Sequence, residues 1–329
     1  MRKQIITIKN TFLLLIILIK IKHMIEFIIS LSFTIVLVLL FIVFLSFGIT
    51  TYNIVFKRRK GDKFFAENEN PADKKEASRI WFSNQKIEEL NIASKDKLNL
   101  KGYFLDNNSN KLAIILHGYH GRYYSSTTQA KIFYENGYDV FLPNNRAHDT
   151  SDGNYFTMGQ KEIDDVLRWI SLMTKKNPNY EIVLMGVSMG AHIAMMCADK
   201  IPDNIKCIIE DCGYGNLKSI VNDQIKRKFN KFLTFFILLS TEFVCRCHGF
   251  SLNNDVKSPL SNAKAPVLFI HGNKDNYVKY ENLSYCEQFV QDNSKKEVVT
   301  FDGAEHNESK KQLKKYEETI LGFVNKYIK

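Results

Sequence analysis

Acidic residues are nearly missing from the first 60 positions, where Glu26 stands alone against nine Lys/Arg. From Phe27 to Phe56 there is no charge of either sign. The other 269 residues carry 36 basic and 34 acidic side chains, so the formal +10 splits into +8 on the first 60 residues and +2 on the rest. A nearly neutral body argues against nucleic-acid binding, which draws on an excess of basic side chains. The basic excess instead flanks an apolar run, which is a membrane arrangement. Cysteine is sparse: positions 197, 207, 212, 245, 247 and 286 form no disulfide framework for a chain of this size. They read as mostly buried free thiols, a mild argument for a reducing compartment. Cys245-x-Cys247-His248 lacks a second ligand pair at zinc-site spacing, so no metal is expected. No internal repeat is present.

The charge-free run is long enough to cross a hydrocarbon core of about 30 Å as one helix. It is too long for the apolar part of a cleaved signal peptide and lacks a small-residue cleavage site. Residues 25–56 are therefore expected to be a transmembrane anchor. Residues 1–24 form an extension of uncertain status, since Met24 offers an alternative start. Phe12–Ile19 is too short to span by itself, and Lys20 and Lys22 separate it from the main run. Lys57-Arg58-Arg59-Lys60 at the end of the run favours a cytoplasmic position for the large C-terminal domain, although basic residues at the N-terminus oppose this. Residues 57–85 read as a basic and polar linker, and residues 86–329 as the main domain.

That domain opens with two alternating segments, Ile87–Ile92 and Leu98–Leu105, expected to pair as antiparallel strands. The pattern then changes to short continuous apolar runs: Leu112–Leu116, Tyr138–Leu142, Ile182–Met185, Cys207–Glu210, Val267–Ile270 and, more weakly, Val298–Phe301. Such runs fit strands buried on both faces. Helical stretches lie between them, which implies an α/β class: a mostly parallel sheet with helices on both faces. The 55 residues between Asp211 and Val267 exceed an ordinary connection. They predict a helical cap over about 213–262, with an apolar side that packs on the core, walls a pocket or rests on a bilayer.

Gly186-Val187-Ser188-Met189-Gly190 joins a predicted strand to a predicted helix. A G-x-S-x-G turn in that context raises a serine hydroxyl above a sheet edge, and the flanking positions must be small to avoid collision. A serine at its ordinary pKa needs a base, and the base needs an orienting group. Four histidines come after Ser188: His192, His248, His271 and His306. His192 lies on the same helix, His248 lies in the cap and His271 ends a strand. His306, in a loop past the last good strand pair, is the candidate base. Asp275, just past Val267–Ile270, is the candidate acid, with Asp211 as its rival. The backbone N–H groups of Met189 and Tyr119 are the candidate oxyanion donors, Tyr119 lying in His117-Gly118-Tyr119 after the Leu112–Leu116 run.

In this order the motifs resemble the α/β-hydrolase superfamily, in its serine aminopeptidase/monoglyceride-lipase-like branch of bacterial membrane-anchored hydrolases. The matching pieces are His117-Gly118-Tyr119, Asn145-Arg146-Ala147-His148 with Ser151-Asp152-Gly153, Gly186–Gly190, Asp211-Cys212-Gly213-Tyr214, Pro266–Asp275 and Gly303–His306. One departure is Asp149, where relatives carry glycine after the histidine. The resemblance implies hydrolysis of carboxylic esters through an acyl-enzyme, with no cofactor and a lipid-like or other small-molecule acyl substrate. Peptide or amide cleavage and acyl transfer use the same three residues and remain open. A catalytically silent, membrane-anchored binding module is the reading from a different class.

Overall fold

The computed structural model describes residues 2–58 and 77–329. Most of the expected linker, residues 59–76, therefore lies outside the described residues. Eight strands form one sheet: β1 (Glu88–Ala93), β2 (Asn99–Leu105), β3 (Lys111–Leu116), β4 (Asp139–Pro143), β5 (Glu181–Val187), β6 (Ile205–Asp211), β7 (Val267–Gly272) and β8 (Lys296–Phe301). Their order is β1-β2-β4-β3-β5-β6-β7-β8. β1, β2 and β4 pair antiparallel, and every neighbour from β4 onward is parallel.

The strand period of two divides the core. Leu112, Ile114 and Leu116 of β3, with Ile182 and Leu184 of β5, enter one apolar cluster. Ala113 and Ile115, with Val183, Met185 and Val187, enter the other. Residues facing both ways are buried, which is why these strands lack polar alternation. The first cluster is covered by α4 (Lys161–Lys176) and α5 (Met189–Met196). The second is covered by α3 (Thr127–Glu135), α10 (Leu313–Val324) and Phe82 of the short α2 (Ala77–Ser83). The expected cap contains α6 (Leu217–Lys226), α7 (Lys231–Cys247) and α8 (Lys257–Ser261), and α9 (Glu281–Glu287) comes after β7. Asn216 caps α6 and Asn230 caps α7, each side chain accepting a first-turn N–H.

The N-terminal helix differs from the expected division in two ways. First, α1 runs unbroken from Arg2 to Val55. Lys20 and Lys22 interrupt the hydropathy but not the helix, because lysine is a good helix former. Second, the last turns of the helix are part of the folded domain. Phe12–Val43 is solvent-exposed, long and apolar enough to cross a membrane. From Phe44 onward the helix packs on the domain. Ser240 of α7 donates to the carbonyl of Phe44. Tyr52, 5% exposed, stacks on His248 with ring centroids 4.1 Å apart and planes 8° from parallel. Phe56 is fully buried edge-on to Phe250. The chain then bridges to the 154–156 loop through Phe156 N–H to Phe56 O and Arg58 N–H to Asn154 O.

Candidate active site

Ser188 sits between β5 and α5 with φ 56° and ψ −115°. That positive φ is uncommon for a non-glycine residue and stores strain. The structure explains the glycines on either side of it. A Cβ on Gly186 would strike the carbonyl of Gly190, and one on Gly190 would strike the carbonyl of Leu116. The turn is held by Ser188 N–H to Asp211 O at 2.8 Å and His192 N–H to Ser188 O at 3.1 Å.

Ser188 Oγ lies 2.9 Å from Nε2 of His306. Nδ1 of His306 lies 2.6 Å from Oδ2 of Asp275. The other carboxylate oxygen of Asp275 accepts the backbone N–H groups of Tyr277 (2.8 Å) and Val278 (2.9 Å). Burial by itself would raise this carboxyl, but hydrogen bonds from His271 and His306 outweigh it and hold the pKa at about 2. Asp275 is therefore an anion at neutral pH, aimed at the imidazole by its own loop. The Tyr277 ring packs 5.0 Å from that of His306.

The rival acid is engaged elsewhere. Asp211 accepts a 2.6 Å hydrogen bond from Tyr316 Oη, and burial raises its pKa. Its Oδ1 has no hydrogen-bond partner among the described residues.

Met189 occupies the first position of α5, where N–H groups have no acceptor within the helix. Tyr119 and Met189 both line the cavity that contains Ser188. Gly118 brings the Tyr119 loop close to the serine: a Cβ there would lie 3.3 Å from Ser188 Cβ. The phenol of Tyr119 donates to the carbonyl of Val55 at 2.9 Å, so this loop is tied to the end of α1.

The remaining motif residues are bonded within the scaffold. Arg146 is buried between Asp165 (2.7 Å) and Asp96 (2.8 Å). His117 accepts Asn145 N–H, and its burial pushes its pKa down to about 4. His148 accepts His120 N–H, and its burial depresses its pKa well below the usual value. Asp149 adopts φ 41°, the left-handed region that glycine occupies without strain. Arg58 donates to the Asp149 carbonyl.

Donor atoms of Cys212, Asp275 and His306 lie within 4.8 Å of one another. Burial drives the Cys212 pKa well up, and the other two groups are already engaged, His306 with both Asp275 and Ser188. In the cap, Cys245 is buried and Cys247 exposed, so the two face apart.

A cavity of about 290 Å³ opens beside Ser188. Ile220, Val221 and Ile225 of the cap line it, together with Met158, Tyr214 and Val278. Thr51, Ile54 and Val55 of α1 line it as well. Sequence reasoning missed that last wall. No local pattern distinguishes an apolar helix turn facing lipid from one facing a pocket. It also missed the second partner of Asp275, His271, whose Nε2 lies 3.4 Å away.

A family model described as the alpha/beta hydrolase fold matches residues 112–239. An uncharacterized protein of Bacillus subtilis is 26% identical over 185 residues, 54% of this chain. The match spans 60% of that curated relative's length. Among solved structures, an esterase of Pyrococcus furiosus superposes with a TM-score of 0.62 at 23% identity, covering 74% of this chain and 92% of that one. An acylaminoacyl peptidase of Pyrococcus horikoshii gives 0.54 at 19% identity, covering 75% of this chain and 42% of that one. The chain has the α/β-hydrolase fold, with a mostly parallel eight-stranded sheet and a long apolar N-terminal helix.

Proposed function

We propose that this protein is a membrane-anchored serine hydrolase that cleaves carboxylic esters, in the serine aminopeptidase/monoglyceride-lipase-like branch its motif order resembles. The supporting observation is the unbroken hydrogen-bond chain Ser188–His306–Asp275 at the wall of an apolar cavity. His306 Nε2 takes the Ser188 proton as Oγ bonds to the acyl carbon. Negative charge collects on the carbonyl oxygen, where the N–H groups of Tyr119 and Met189 receive it. Loss of one such donor typically costs about 3–4 kcal/mol of barrier. The ester C–O bond then breaks, and His306 returns its proton to the departing alcohol. Water repeats the sequence on the acyl-enzyme, releasing the acid and restoring Ser188. Asp275 stays ionised throughout and steadies the imidazolium.

No step in this reading calls on a cofactor or a metal. The α1 helix fixes the domain to a bilayer, and the Lys57-Arg58-Arg59-Lys60 cluster favours its cytoplasmic face. A fluorophosphonate probe tests the reaction class. Wild-type protein should be labelled and Ser188→Ala should not; equal labelling of the two removes the hydrolase reading. Parallel ester and peptide panels test the bond type, and preferential peptide cleavage would replace the ester assignment. Protease protection on closed vesicles tests the orientation.

A further inference from the structure

The substrate cavity and the membrane-spanning helix share residues. Thr51, Ile54 and Val55 form one wall, and Ile54 is 54% exposed at its rim. Phe229, 41% exposed where α6 hands over to α7, lines the same cavity. The exposed apolar surface continues from Phe229 along α7 through Phe232, Phe235, Leu239 and Phe243. Spacings of three and four residues put these side chains along one side of the helix. The opposite side (Thr234, Ile237, Ser240, Thr241 and Val244) is buried.

Large exposed apolar patches mark interaction surfaces. Two observations identify the bilayer as the partner of this one. The α7 helix is braced on α1 at Phe44 and Gly48, directly below the exposed apolar length that ends at Val43. A Cβ at Gly48 would collide with the backbone of Ser240, so the two helices meet in direct contact. Exposed Lys226, Lys228 and Lys231 stand where the phenylalanine face begins, suited to anionic head groups. The cavity volume adds a constraint. At about 290 Å³ it lies at the small end of ligand pockets, a size suited to a single acyl chain.

Building on the ester-hydrolase reading, we propose that the substrate is the acyl ester of a bilayer-resident lipid. Its chain enters sideways between Ile54 and Phe229, guided by the phenylalanine face of α7, and α1 serves as a wall of the substrate site as well as an anchor.

The test uses full-length protein in phosphatidylcholine–phosphatidylglycerol liposomes. Methylumbelliferyl oleate is dissolved in the bilayer, and methylumbelliferyl butyrate is supplied from water. Phe232→Ser/Phe235→Ser should lower the oleate rate at least about ten-fold and leave the butyrate rate unchanged. Ile54→Trp, which narrows the entrance, should lower the oleate-to-butyrate ratio at least about ten-fold. A ratio taken within one preparation is insensitive to the fraction folded. The proposal is overturned if the double variant keeps its oleate rate, if Ile54→Trp keeps its ratio, or if wild-type protein cleaves butyrate but not oleate. Wild-type protein that cleaves neither ester and takes no fluorophosphonate label would sink the hydrolase reading itself, and this inference with it.

Discussion

Replacing Asp275 with asparagine separates the two acids that the sequence offers. In the structure, Asp275 Oδ1 is committed to the N–H groups of Tyr277 and Val278, which leaves Oδ2 for His306 at 2.6 Å. An asparagine there keeps its single oxygen on the loop amides and turns its NH₂ toward Nδ1. That stabilises the wrong tautomer: Nε2 then carries the proton and no longer accepts one from Ser188. The expected loss is about 10³–10⁴ in kcat, roughly 4–5.5 kcal/mol of barrier. The same change at Asp211 acts on a group bonded to Tyr316 instead of His306. Asp211→Asn should keep activity within about five-fold and shift stability by about 1 kcal/mol or less, because the amide oxygen still accepts from the phenol. Steady-state hydrolysis of a short soluble ester by both variants, with thermal unfolding as a folding control, measures this directly. If Asp211→Asn loses more activity than Asp275→Asn while both remain folded, the assignment of the acid is wrong.

Other expectations bear on the scaffold. Tyr52→Ala removes a buried ring stacked on His248 and should destabilise full-length protein in detergent by about 3–5 kcal/mol; an unchanged unfolding midpoint would contradict the docking of α1. Arg146→Met strips the buried Asp165 of its counter-charge and should cost about 3–5 kcal/mol, read by urea unfolding at neutral pH. Glu210 is buried beneath the site, and burial pushes its pKa up to about 7. The folded chain therefore keeps this proton between about pH 4.5 and about pH 7 while the unfolded chain has lost it. The group consequently lowers stability progressively as pH rises through that window. Glu210→Gln should lose less stability than wild type between about pH 5 and about pH 8, and an identical pH profile would refute this role for Glu210.

Much of this architecture is legible in the chain because each signal has a single physical cause. The apolar runs within β3, β5 and β7 are continuous because both their faces are covered. The elbow shows as Gly186 and Gly190 because the backbone passes too close at both positions for any side chain. His306 is picked out by chain order, since the other histidines after Ser188 lie on a helix, in the cap or at a strand end. The end of α1 is not legible for the opposite reason. Hydropathy records only that Tyr52, Ile54 and Phe56 avoid water, and lipid, a cap helix and a pocket satisfy that equally. The contact of His271 with Asp275 depends on how the loop after β7 folds back, which no pattern within His271–Asp275 dictates.

The central claim is that Ser188 becomes acylated. Rapid mixing of full-length protein with a nitrophenyl ester, followed by acid quench and peptide mass analysis, addresses it most directly. The expected result is a burst of nitrophenol close to one equivalent and an acyl mass on the peptide containing Ser188, both lost in Ser188→Ala. A linear release with no acyl adduct, or an adduct that persists in Ser188→Ala, would contradict it.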